Sequence, residues 1–544
     1  MAAEEKASMA GPPGVDGQVQ PLSTKESGQN KEVSSSASER HRPSEDDIEN
    51  QNHIEPQRSN VSVWASESMS LPQEVLFVAT VCLTQFCNQA SFCATLLLLD
   101  TIGQGLDVQE PSLLSWLVAG FSLTAGTFLI FAGRLGDAFG YKLMMIIGFS
   151  WFALWSLIAG LAVFSGYTLF VFARVFQGIG SAICMPNALA VLGAAYPQGP
   201  RKAMVFALFG ASAPVGAMTG GIAGTALNLL WWPWAFHALA ITLFVLTVVT
   251  YFVVPSPPGK LSGNITWKNS FIELDLAGGI TGVSALVLFN FAWNQAPIVG
   301  WNSPQVITTL IIGLALFFVF IWIEYRHAKN PLLPFDAFNS DVGFVLGALA
   351  CGWSMFGIWA LYLVLLLENI RELPPLETAL CLLPIIVTGL VASLITGVLL
   401  GPGKFRPATV MTIALVFFLT GIVIFTTAPI DQIYWGQTFV SIFVIPFGMD
   451  MSFPAGTLIL SNAVKKEHQG IAASLVATVV NYSISLGVGF AGTVEVHVNN
   501  AGKTKADLLK GYQGALYMGI GLAGLGLLIC LVFLAKDRRR HAER

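Results

Sequence analysis

The chain has 544 residues, 54% of them hydrophobic and only 11% charged. Soluble domains carry about a quarter charged residues, so a water-soluble globular body is excluded and a polytopic membrane protein is expected. The net charge of −4 averages a polar tail with an apolar body, so the sign pattern loop by loop is the informative quantity.

Residues 1–70 are rich in Ser, Glu, Gln, Asn and Pro and read as a disordered tail, because they cannot repay the entropy of ordering. The serines between Ser35 and Ser44 stand among acids and are candidate phosphorylation sites. No basic stretch leads into a short apolar run at the start, so the first spanning helix is expected to do the targeting. From Leu71 onward fourteen candidate spans follow: approximately 73–98, 112–132, 143–164, 169–190, 203–226, 233–254, 274–294, 305–323, 342–366, 378–399, 408–427, 434–455, 470–492 and 512–535. Each is close to the roughly 20 residues that cross a hydrocarbon core. The runs are continuous rather than alternating, which excludes a barrel.

The loops after even-numbered spans hold twelve Lys and Arg, among them Arg134, Lys142, Arg201 and Lys202. Those after odd-numbered spans hold only Arg371, Lys503, Lys505 and Lys510, and the C-terminal tail adds five more basic residues. The positive-inside rule puts both termini in the cytoplasm, with the Asn264 sequon on that side and unglycosylated. Paired basic residues in the loops after spans 2, 4, 10 and 12 suggest a repeat. The expected domains are the tail (1–70), a six-helix bundle (71–254), a linker with inserted helices 7 and 8 (255–335), a second six-helix bundle (336–535) and a basic tail (536–544).

Between Glu110 and Arg174 the only charges are Arg134, Asp137 and Lys142, in the stretch Gly133 to Lys142. Its glycines, including Gly133 and Gly140, suggest a short loop at the membrane surface. Asp137 is expected to cap the following helix or to pair with a base across the bundle. Arg174, near the start of span 4, shares a helical face with Gln177 and Gly178. A guanidinium there needs carboxylates, carbonyls or a wet cavity. It is either a bridge that fixes packing or a cavity-lining group that senses substrate or protons. Asn187 lies too far along the helix for direct contact but can face the same cavity at greater depth.

Span 1 carries a polar stripe, Gln85, Asn88 and Gln89, at spacings of three and four. It lines the cavity or forms interhelical hydrogen bonds. A second stripe, Asn290, Asn294 and Gln295 in span 7, is assigned to peripheral packing. In span 5, Gly216, Gly220 and Gly224 form a smooth face, and Pro214 can bend the helix. Asp450 in span 12 is the best candidate for a titrating group, or the partner of a base. Glu495 and Asp275 stand near the ends of spans 13 and 7. All seven cysteines fall in apolar segments at spacings that match no metal site. Neither a phosphate-binding glycine loop nor a hydrolase or metalloprotease motif is found, so neither an ATP-driven pump nor an enzyme is expected, and no cofactor.

These motifs resemble the major facilitator superfamily, in particular its fourteen-span drug:proton antiporters, over residues 72–535. Gly133, Leu135, Asp137, Gly140 and Lys142 stand at recurring positions of its loop 2–3 signature, which implies a cytoplasmic latch. Arg174 and Gly178 match the span-4 signature, which implicates the arginine in proton coupling. The span-5 run resembles the antiporter signature, with Ala213-Pro214 where glycine-proline is usual, and Asp275 with Gly278 resembles the start of span 7. The chain is most similar to fungal members related to the aminotriazole-resistance protein and to borate exporters. Many such antiporters carry an acid within span 1. Here that stripe is neutral, so the resemblance leaves coupling to Arg174 and Asp450 and implies a small neutral or anionic substrate.

The expectation is therefore an all-α major facilitator fold of 14 helices that works by alternating access. It would exchange protons for an exported small molecule, with substrate between spans 1, 4 and 5 and spans 9, 12 and 13. A small-solute importer or facilitator, and a non-transporting sensor signalling through the tail, are the alternatives. The partners expected are the small-molecule substrate, protons and the lipid bilayer, with no nucleic acid. The protein is read as a monomer in the plasma membrane, with the vacuolar membrane as the alternative.

Overall fold

A computed structural model describes residues 65–108, 110–197, 199–255, 275–327, 332, 340–401, 405–463, 469–502 and 504–542. Most of the polar tail, the Asn264 sequon and several basic loop residues lie outside the described residues. Within them the chain is all-helical. Thirteen helices are long and apolar enough to cross a membrane, and one bent pair makes a fourteenth span.

Span 1 is α1 (Leu71–Leu96), and span 2 is the bent pair α2 (Ser115–Thr127) and α3 (Leu129–Phe139). Spans 3 to 6 are α4 (Tyr141–Leu161), α5 (Tyr167–Ala195), α6 (Pro200–Asn228) and α7 (Trp234–Val253). Spans 7 and 8 are α8 (Leu276–Val299) and α9 (Pro304–Arg326). The rest are α10 (Ser340–Leu365), α11 (Pro384–Leu399, after the short helix Pro375–Cys381), α12 (Pro407–Thr426), α13 (Gln437–Ala463), α14 (Gln469–Val498) and α15 (Lys505–Ala542). Many helices begin with proline in the first turn, where its missing N–H is no loss, as at Pro200, Pro304, Pro384 and Pro407.

The stretch from Gly133 to Phe139 is helical, which corrects the expected loop. Span 2 bends by 44° at Phe128 and then continues through Arg134 and Asp137. The turn into α4 is the single residue Gly140, whose φ of 100° lies in the region that favours glycine. Charges at a membrane surface look like a loop in sequence, but a helix can carry them past the apolar layer. The bend coincides with a close crossing. A Cβ at Gly126 would fall 2.7 Å from the Tyr482 backbone nitrogen of α14.

α4 packs antiparallel on α5 and α12 on α13, whereas α1 and α6, spans 1 and 5, pack side by side in the same direction. Two extensive helix contacts join the first six spans to the last six among the described residues. Span 2 (α2, α3) lies on α14, and α6 lies on α11. α8 packs on α14, α2 and α9.

Candidate substrate and proton pathway

Arg174 is completely buried. Its Nε donates to the Leu117 carbonyl (3.0 Å), and one Nη donates to Ser91 Oγ (2.8 Å) and to Gln177 Oε1 (2.6 Å). The guanidinium carbon sits 4.6 Å from the Phe121 ring centroid. Gln177 passes the chain on to Ser156 Oγ at 2.8 Å. No carboxylate pairs with Arg174 among the described residues, and its second Nη finds no acceptor. Burying an arginine on neutral partners costs several kcal/mol, offset in part by charged hydrogen bonds of about 1.5–3 kcal/mol each and by the ring. The result is one closed hub joining spans 1, 2, 3 and 4.

The span-1 stripe meets that hub. Ser181 Oγ donates to Asn88 Oδ1 across α5 and α1, and Asn88 donates to Gln89 Oε1 at 3.0 Å. Arg174, Gln177 and Ser181 thus line one face of α5 opposite Ser91 and Asn88. Gln85, one turn on, keeps a buried side-chain oxygen without a partner. Gly178 serves a different contact. It lets α5 approach α2, where Thr124 Oγ1 donates to the Val175 carbonyl at 2.6 Å. The serines 91, 156 and 181 were missed from sequence, because a lone serine in an apolar run carries no signal.

Asn187 is brought elsewhere. It is fully buried and donates to the Ile183 carbonyl (2.6 Å) and the Ala132 carbonyl (3.3 Å). Its side chain packs against Gly136 of α3, where a Cβ would overlap it. Asn187 therefore ties span 4 to the Gly133–Lys142 stretch. Gly133 lies between Pro186 of α5 and Ser474 of α14, with a Cβ 3.6 and 3.7 Å from them. Asp137 accepts from the Tyr141 hydroxyl at 2.6 Å and makes no cap for α4, so the capping expectation is corrected. Lys142 lies 5.6 Å from the Tyr251 ring centroid of α7.

The small-residue face of α6 lies on α1. Cβ atoms at Gly216, Gly220 and Gly224 would crowd Phe86, Ala90 and Ala94, a ladder in the same four-residue register. Pro214 sits inside an unbroken helix and packs against Gly389 of α11. Asp450, midway along α13, reaches the same place. A Cβ at Gly389 would be 3.0 Å from Pro214 and 3.1 Å from Asp450 Oδ2. Asp450 is half-buried and makes no ion pair or hydrogen bond among the described residues. A carboxylate with so little compensation, halfway through a span, has the setting of a titrating group.

Span 7 is not peripheral, which corrects the sequence reading. Asn290 and Asn294 are buried, and Ser485 of α14 donates both to Asn290 Oδ1 and, across to span 2, to the Ala119 carbonyl (3.0 Å each). Gln295 accepts from Trp116 Nε1 at 3.1 Å. Further buried acids escaped the sequence reading because they sit at span ends. Glu74 pairs with Arg201 and accepts from Tyr196 at 2.8 Å, and Glu324 is 3% exposed.

Fourteen apolar crossings, a membrane-buried arginine and a polar seam between spans define a polytopic secondary transporter. Residues 81–489 match the Major Facilitator Superfamily, and the chain belongs to that family. It is 46% identical over 491 residues to the low affinity ammonium transporter of Saccharomyces cerevisiae, covering 89% of this chain and 94% of that one. The aminotriazole resistance protein of the same yeast is 38% identical over 481 residues, 86% of each chain. Among solved structures, a POT family transporter in complex with a thioalcohol conjugated peptide aligns with a TM-score of 0.62 at 14% identity. It covers 85% of this chain and 96% of that one, a likeness of fold alone.

Proposed function

We propose that the protein exports a small molecule in exchange for protons by alternating access. The observation that carries this is the pairing of two unusual groups. Arg174 is a buried cation held only by neutral partners, and Asp450 is an uncompensated carboxylate where α6, α11 and α13 meet. Each is costly to bury and gains a use if protons and substrate act on it in turn. The substrate pathway then runs past Asn88, Gln85 and Gln89 on span 1 and Arg174 and Gln177 on span 4 to Asp450. The stretch Gly133 to Lys142 and the α6 face at Pro214, Gly216, Gly220 and Gly224 govern gating and helix approach. The two contacts between early and late spans support a pair of six-helix bundles with spans 7 and 8 inserted. Span 2 meets the fifth span of the late set, and span 5 meets its second, as a two-fold repeat requires. Resistance and efflux relatives support export, and the basic loops support cytoplasmic termini.

A second reading has its own support. The relative at 46% identity is named as an ammonium transporter, so a small cation carried down its gradient is the competing cargo. The neutral span-1 stripe argues for a neutral or anionic solute instead. Proteoliposome flux of aminotriazole, boric acid and methylammonium, each with and without a pH gradient, separates the two. The proposal expects aminotriazole or boric acid to accumulate against its gradient only when protons flow the other way. Methylammonium flux alone, indifferent to the pH gradient, supports the second reading and overturns the first.

A further inference from the structure

Two buried acids outside the Arg174 seam face the Gly133–Lys142 stretch, and both belong to spans 7 and 8. Asp275 immediately precedes α8 with a left-handed backbone (φ 45°), and its side chain accepts from the Gly278 N–H at 3.2 Å. It is 6% exposed, and its second oxygen finds no hydrogen-bond partner. Glu324, in the last turn of α9, accepts from the Leu332 N–H at 3.2 Å. A Cβ at Gly278 would lie 2.8 Å from both Asp275 Cγ and Glu324 Oε1, so only glycine there lets the two acids share the space. The next residue, Gly279, receives the Phe131 ring of α3, 2.8 Å from where its Cβ would be. One turn further along α3 stands Arg134. The acids whose charge acts on it are Glu324, then Asp275, then Asp137 of its own helix. Two carboxylates withdrawn from water need a cation, and Arg134 stands on span 2 one turn from the Phe131 contact with Gly279.

We propose that spans 7 and 8 form an acidic clasp that holds Arg134 and thereby keeps the α3–α14 junction shut. This rests on the alternating-access reading and extends it. Gly133 of α3 already lies against Ser474 of α14, so whatever holds α3 in place also closes that junction. Opening the junction must draw α3 away from one side or the other. The clasp lowers the free energy of the closed arrangement only, which is the condition for shifting a conformational equilibrium. Spans 7 and 8 are in this account a control element for the transport cycle.

The test needs no known substrate. In a background with the seven native cysteines replaced, Ser474→Cys reports opening of the junction by its rate of alkylation. Glu324→Gln, Asp275→Asn and Arg134→Gln, which keep shape and remove charge, should each raise that rate about tenfold, the equivalent of one lost charged hydrogen bond. Arg134→Gln combined with Glu324→Gln should open the junction no further than either alone, and Arg134→Glu with Glu324→Arg should restore closure. Additive effects, or no response to Glu324→Gln, overturn the clasp. Spin labels at Leu143→Cys and Tyr325→Cys provide a second measurement. Glu324→Gln should enlarge a longer-distance population, and an unchanged distribution overturns the proposal. If the clasp responds as expected but no proton-driven flux is found, the clasp stands and the export reading falls.

Discussion

Arg174 decides more than any other single residue. It donates in three directions, to Leu117, Ser91 and Gln177, while Phe121 covers its face. A lysine is a point donor on a flexible stem and cannot reproduce that fork. Arg174→Lys is therefore expected to lower transport roughly tenfold or more while the protein still folds. Arg174→Ala should also cost roughly 2–4 kcal/mol of stability, because Gln177 and Ser91 lose their donor inside the bundle. Initial flux rates and thermal melts in detergent measure both. Asp450→Asn is expected to leave folding intact and to remove the dependence of flux on the pH gradient. The arginine was legible in the sequence, since a lone charge in an apolar run is conspicuous. Its partners were not, because serines 91, 156 and 181 look like ordinary small residues until the helices are assembled.

Among elements, α1 and α6 make a contact that tolerates no added volume. A Cβ at Gly220 would fall 2.9 Å from the Ala90 carbonyl carbon, so Gly220→Val should destabilise the pair by about 1–3 kcal/mol or more. Gly397 of α11 meets nothing within 4 Å, and Gly397→Ala should raise stability by roughly 0.5–1 kcal/mol. The contrast separates glycines that packing requires from those it does not, and thermal melts of the two variants read it. The segment after α1 carries Asp100, beside Glu368 and Asn369 of the π-helical turn Leu366–Ile370 and near Tyr512. Burial pushes the Asp100 carboxyl above its ordinary 3.8, and the Asn369 hydrogen bond only partly opposes this. The folded state therefore holds that proton longer than the unfolded one. Its contribution to stability is complete at low pH and is lost as pH rises above about 4 through the raised value. Asp100→Asn should flatten that fall in a series of melts against pH. The helices themselves were readable from hydropathy, as was the four-residue glycine register. The helical course of Gly133 to Phe139 was not, because surface charge and glycine mimic a loop. Nor was the buried place of Asn290 and Asn294, because a polar stripe reads the same whichever neighbour it faces.

In the whole molecule, helices from both ends of the chain meet along two seams, span 2 with α14 and α6 with α11. The Arg174 hub stiffens the early spans, and Asp450 stands where the second seam passes α13. Span 7 is fastened across the first seam by Asn290, Ser485 and the Ala119 carbonyl. Protonation at one seam and release at the other would then be linked through rigid helices rather than through a loop. The succession of spans was legible from hydropathy, whereas cargo is not, since relatives named for ammonium transport and for aminotriazole resistance both align with this chain over more than four-fifths of its length. The most direct measurement is proton movement in proteoliposomes loaded with a pH-sensitive dye and given a gradient of aminotriazole or boric acid. The account predicts that the substrate gradient drives protons in the opposite direction, and that Arg174→Ala and Asp450→Asn each abolish this. Substrate flux with no accompanying proton movement, unchanged in both variants, would contradict it.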